Sequence, residues 1–90
     1  MFTTARYSSL YTRKFTKKIA EIFNVRYVAR GKKTIYDIVE SARKFGNARI
    51  VIIKEKNCKP YAIDFIEVKE DLKWQWLNDV IIIKDDEDEK

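Results

Sequence analysis

The chain contains no histidine, one cysteine, one proline and two glycines among its 90 residues. Without histidine, and with Cys58 alone, neither an internal disulfide nor the usual zinc-ligand sets can be assembled. A loop thiol with no histidine to activate it is also a poor nucleophile. There is no glycine-rich phosphate loop, and carboxylates such as Glu55 and Asp64 stand isolated in the sequence. The chain therefore reads as a binding protein without a cofactor, not as an enzyme. Long apolar runs are missing too: "IVII" (50–53) and "VIII" (80–83) are far too short to cross a bilayer, and no signal-peptide core opens the chain. These absences imply a cytoplasmic protein with no membrane partner.

What is present is a globular composition with a heavily ionised surface, 46% hydrophobic and 37% charged. Its length suits one domain, read here as residues 1–84, followed by an acidic tail at 85–90 expected to be disordered. The net charge of +5 hides an asymmetry. Residues 1–34 carry nine bases against Glu21 alone, a local charge of +8, while the other 56 residues hold ten bases and thirteen acids. A basic first third suggests a polyanionic partner.

Residues 1–5 suit a short strand ending in Thr3 and Thr4. After the candidate caps Ser8 and Ser9, Phe15, Ile19, Ile22 and Phe23 recur as one helical stripe, with Arg13, Lys14, Lys17 and Lys18 on the opposite arc. "VRYVA" (25–29) reads as a second strand. Thr34 with Asp37 three positions on, then Ile35, Ile38, Val39, Ala42 and Phe45 before Gly46, predict a capped helix. "ARIVIIK" (48–54) predicts a central strand and "YAIDFIEV" (61–68) an antiparallel neighbour, joined by a turn over Lys54–Pro60. The last segment ends in a strand, and the sequence leaves open whether Trp74 to Leu77 belong to it.

The predicted fold is thus α/β: a mixed open sheet built as β-α-β-α-β-β-β, in the order 2-1-3-4-5 with the fourth strand antiparallel and helices on both faces. In that topology the loops "ARYSS", "RGKK" and "KEKNCK" gather at one sheet edge, and two of them lead into helix N-termini that favour anions.

"TTAR" followed by "SS", then "TRKFTKKIAEIF", "VARG", "ARIVIIKEKNCKP" and "AIDFI" resemble, in order and spacing, the N-terminal half of the Brix domain of ribosome-biogenesis factors, closest to small archaeal members. The resemblance covers roughly residues 2–68. Ala5 departs from the family's usual serine, and "NCKP" replaces a glycine-containing turn. The resemblance implies a fold similar to the anticodon-binding domain of class II aminoacyl-tRNA synthetases. It also implies RNA binding, ribosomal RNA in particular, during rRNA processing or subunit assembly, with ribosomal or assembly-factor proteins as further partners. A complete domain has two similar halves, so pairing of two copies over an exposed sheet edge or the tryptophan region is a further expectation.

Charged loops are ordinary on any soluble protein; convergence on one edge is what singles out Arg6, Arg30, Lys32 and Lys33 as phosphate contacts. Arg13, Lys14 and Lys17 would extend that footprint along the helix, and Tyr7 would stack beside it. Trp74 and Trp76, two apart, would share one face of a strand and serve either as core or interface residues or as a base-stacking platform. The remaining alternative is a protein-interaction or adaptor module whose basic face docks an acidic protein.

Overall fold

The computed structural model describes residues 1–70, 73–77 and 81–83. Its elements are β1 (Phe2–Thr4), α1 (Leu10–Ile22), α2 (Ile35–Lys44), β2 (Arg49–Lys56), β3 (Lys59–Val68), β4 (Trp74–Trp76) and β5 (Ile81–Ile82). β1 runs parallel to β2, β2 antiparallel to β3, and both β4 and β5 pair antiparallel with β3 on its outer side. The result is a mixed α/β sheet with two helices.

Side-chain alternation divides the sheet into two buried faces. Ile50, Ile52 and Ile66 join Met1 and the α2 residues Ile38, Val39 and Ala42 in one cluster. Each of these isoleucines, at most 3% exposed, stabilises the fold by about 1.5–3 kcal/mol. Ile53 and Ala62 are also buried but lie outside that cluster, as does Ala20 of α1; α1 contacts β1, β2 and β3. α2 follows its sequence signals closely. Thr34 and Asp37 form the reciprocal capping box, and Gly46 at φ +73° ends the helix. There Gly46 N–H donates to the Arg43 carbonyl and Asn47 N–H to that of Ala42.

α1 departs from the expected stripe. The residues it buries are Thr12, Thr16 and Ala20, whereas Ile22 and Phe23 are 71% and 66% exposed. Small side chains at i, i+4 and i+8 let the helix lie close on the sheet. The two buried hydroxyls are satisfied, Thr16 donating to the Thr12 carbonyl at 2.8 Å and Thr12 to the Glu55 carboxylate. The larger Phe15 and Ile19 flank that seam, half-buried.

The predicted strand order 2-1-3-4-5 is corrected in two places. Residues 25–29 do not form a strand; Tyr27 makes one parallel bridge to Phe2, supported by Phe2 N–H to the Arg26 carbonyl and Val28 N–H to the Phe2 carbonyl. Thr3 spends its hydroxyl on the Val28 carbonyl at 2.7 Å, which pins the segment at that point. The terminal strand is two short pieces, β4 beside Ile66–Val68 and β5 beside Ala62–Ile63. The expected acidic tail lies outside the described residues.

The turn predicted over Lys54–Pro60 is tighter than expected. β2 and β3 run on to a two-residue loop, Asn57–Cys58, with φ of 53° and 62°. Both positions need the left-handed region, which Asn tolerates and Cys does not. Replacing Cys58 by Gly should raise stability by about 1 kcal/mol, seen as a higher urea midpoint with unchanged slope; a lower midpoint would refute the strain reading.

Candidate nucleic-acid interface

Three loops meet at the edge where β1 and β2 end. Tyr7 N–H reaches the Gly31 carbonyl at 3.4 Å, joining the Arg6 turn to the "RGKK" turn. On the other side Ser9 donates its hydroxyl to the Glu55 carboxylate at 2.8 Å and to the Cys58 carbonyl at 3.0 Å, joining α1 to the β2–β3 hairpin. The sequence order alone placed these loops at one edge; hydrogen bonds make them one surface.

The candidate residues divide by exposure. Arg6, Tyr7, Lys32 and Lys33 are exposed. The Arg6 guanidinium stacks 5.2 Å from the centre of the Tyr7 ring and donates to its hydroxyl at 3.3 Å, while Tyr7 itself sits at φ 59°. A tyrosine held in the left-handed region is uncommon, and here it turns an aromatic ring out beside an arginine. Lys33 donates to the Ala29 carbonyl at 3.0 Å. Among the described residues, neither Arg6, Lys32 nor Lys33 has a carboxylate partner, whereas Lys54 pairs with Asp64 at 3.4 Å. Asp37 is close enough to be influenced by Lys33 and Arg6, but its oxygen accepts the Thr34 N–H at 2.9 Å.

Arg30 is different. It is 4% exposed, with Nε donating to the Lys33 carbonyl at 2.6 Å and Nη1 to the Thr4 carbonyl at 3.0 Å. Burial lowers its pKa, and the nearby Arg6 lowers it further. As placed here, the side chain that reads as a phosphate ligand in the sequence clamps the end of β1 to the "RGKK" turn, and so holds Arg6, Lys32 and Lys33 in register.

The expectation that both helix N-termini stand open to anions is also corrected. The carboxylate of Glu55, half-buried at the end of β2, accepts from the Ser9 N–H, the Ser9 hydroxyl and the Thr12 hydroxyl, so it already occupies the start of α1. Asp37 fills the same role for α2. Sequence reasoning passed over Glu55 because nothing local marks it: its partners lie 46 and 43 residues away. The hydroxyls of Thr3, Thr4, Ser8 and Ser9 all donate within the protein.

The outer residues are less concentrated. Arg13, Lys14 and Lys17 are exposed on α1, with Arg13 near enough to the Tyr27 phenol to lower its pKa against the burial that raises it. Arg26 is turned to the opposite end, 3.9 Å from the centre of the Phe45 ring at the close of α2. The basic first third is therefore not one patch. No group of three potential metal ligands occurs among the described residues, and no helix there is long and apolar enough to cross a membrane.

Fold and site together define a small mixed-sheet α/β module with two flanking helices and one basic edge. No protein-family model matches the chain. It is 30% identical over 67 residues to a probable Brix domain-containing ribosomal biogenesis protein of Methanothermobacter thermautotrophicus, covering 74% of this chain and 41% of the relative. The protein of the same description from Archaeoglobus fulgidus is 33% identical over 72 residues, covering 72% of this chain and 47% of the relative. Among solved structures, Mil, an archaeal Imp4-like protein, superposes with a TM-score of 0.67 at 30% identity over 73% of this chain and 42% of its own. A probable ribosomal biogenesis protein from Aeropyrum pernix K1 gives 0.83 at 25% identity over 93% of this chain and 47% of its own. Over the matched segment the chain belongs to the Brix-domain family; it spans less than half the length of each of these relatives.

Proposed function

We propose that this chain binds RNA, ribosomal RNA foremost, as a factor in ribosome biogenesis, through the basic edge formed by Arg6, Tyr7, Lys32 and Lys33. The relatives named above are ribosomal biogenesis proteins, which supports the process. The observation that carries the contact surface is the hydrogen-bonded junction of the 5–9 and 30–33 loops, which presents three exposed cations without carboxylate partners among the described residues. Arg13, Lys14 and Lys17 extend the surface along α1. Contacts of this kind read backbone and shape more than sequence.

Charge reversal of Arg6, Lys32 and Lys33 together should weaken binding to ribosomal RNA fragments at least tenfold. It should also flatten the plot of log affinity against log salt by about 2 units, since each lost phosphate contact removes about 0.7–0.9. Reversal at Lys14 and Lys17 should do less. If the triple variant binds RNA with unchanged affinity and salt slope, or if the captured partner is an acidic protein that survives nuclease treatment, the basic edge is not an RNA site.

A further inference from the structure

One group of side chains takes no part in the basic edge. Tyr36 of α2 meets Trp74 edge to face, with ring centres 5.8 Å apart and planes at 82°, and Trp74 meets Trp76 in the same way at 6.0 Å and 80°. The middle ring is half-buried. Trp74 packs against the α2-side core, whereas Tyr36 is 72% and Trp76 48% exposed. Exposed aromatic rings on so small a protein mark a surface with a use.

Beside the rings lies an open cleft of about 480 Å³ lined by Tyr36, Lys69, Lys73, Trp74 and Gln75, a size within the range of about 300–1,000 Å³ usual for ligand sites. Lys69 and Lys73 are exposed and have no ion pair among the described residues. Their backbones are tied together, Lys69 N–H donating to the Lys73 carbonyl at 2.8 Å and Lys73 N–H to that of Glu70 at 3.3 Å. Arg43 adds a third cation behind it, donating to the Lys69 carbonyl at 2.6 Å.

We propose that this cleft binds an unpaired nucleotide in a single-stranded stretch of RNA. The base stacks on the exposed ring of Tyr36 beside Trp74, both of which line the cleft, and its flanking phosphates meet Lys69 and Lys73. Aromatic faces beside cations fit a polyanion that carries its own flat rings; an apolar protein surface would satisfy the rings and leave two ammonium groups to be desolvated. A duplex offers no free base face. The proposal takes from the reading above only that the ligand is RNA, since the site is a separate one.

Trp74 and Trp76 are the chain's two tryptophans, so intrinsic fluorescence reports on this cleft. The full chain is titrated with a uridine hexanucleotide and with a duplex RNA, reading tryptophan emission for the cleft and anisotropy of labelled RNA for total binding. The hexanucleotide should quench emission. Tyr36→Ala should weaken its binding about fivefold or more, and Lys69→Glu with Lys73→Glu by at least as much, with duplex affinity unchanged in both. Circular dichroism confirms that these surface variants fold. Binding by anisotropy without any change in emission, or quenching that Tyr36→Ala leaves intact, would overturn the cleft while the basic edge stands. An emission shift driven by protein concentration alone, with a dimer in light scattering, would assign the rings to a second copy and overturn it too. Failure of RNA to bind in either readout would remove the basic edge as well.

Discussion

Replacing Arg30 by Ala should destabilise the protein by about 3 kcal/mol, and Arg30→Lys should recover less than half of that. The guanidinium is buried and donates from two different nitrogens to the carbonyls of Lys33 and Thr4. Bonds from a charged donor contribute about 1.5–3 kcal/mol each. Truncation also leaves the Thr4 carbonyl without that donor next to a side chain 1% exposed. Against this, a buried cation bonded only to carbonyls carries its own desolvation cost, which keeps the expected loss below the sum of its two bonds. Lysine cannot reproduce the planar fork, since its single ammonium reaches one carbonyl well and the other poorly. Urea midpoints of the three proteins measure the effect. Because Arg30 positions the edge rather than forming its exposed surface, Arg30→Lys should retain RNA affinity wherever it is fully folded. Arg6→Ala should show the reverse, weaker RNA binding at unchanged stability. A stable Arg30→Ala variant with reduced RNA affinity would return Arg30 to the phosphate-binding role.

Glu55→Ala should cost a similar amount, about 3 kcal/mol, because it strips the start of α1. The hydroxyl of Thr12, 0% exposed, and the Ser9 N–H would lose their acceptor, while the Ser9 hydroxyl would keep the Cys58 carbonyl. Glu55→Gln keeps one acceptor oxygen and should cost about 1 kcal/mol. The charge matters through pH. Burial pushes the Glu55 carboxyl upward, but the hydrogen bonds from the Thr12 hydroxyl and from the hydroxyl and N–H of Ser9 together outweigh it and hold the pKa below the ordinary 4.5. A carboxyl whose folded pKa is lowered adds stability above its unfolded value and loses it as pH falls through the folded one. Stability should therefore decline on acidification from about pH 4.5, and the decline should be shallower in Glu55→Gln. Asp37, lowered chiefly by the Thr34 N–H, acts in the same direction from its ordinary 3.8, so Asp37→Asn should flatten the remaining slope. Urea midpoints between pH 7 and pH 3 decide this; an identical acid profile in Glu55→Gln would show that the carboxylate charge does not hold α1.

Much of the fold was legible because its signals are local. α1 starts at Ser9, one of the two serines that could cap it, α2 starts at the expected Thr34, and α2 stops at Gly46. The β2–β3 pairing follows from two β-branched runs with a turn between them. The misreadings each have a physical source. Segment 25–29 has the residue types of a strand, yet Phe2 is the one residue it bridges beside β1. The apolar stripe of α1 misled because hydrophobic periodicity scores side-chain polarity, while close seating on a sheet rewards small side chains whose hydroxyls find acceptors.

By itself the sequence determined the two helices with the capping box of α2, the β2–β3 pair and the basic bias of the first third, since these depend on residues within a few positions of one another. Tertiary structure alone decided which cations face water and which are buried, that Glu55 closes α1 from 46 residues away, and that Tyr36 meets Trp74 across α2 and β4. A charge and an aromatic ring look the same in a sequence whether they hold the fold together or wait for a ligand; burial and the partner each finds across the fold separate the two.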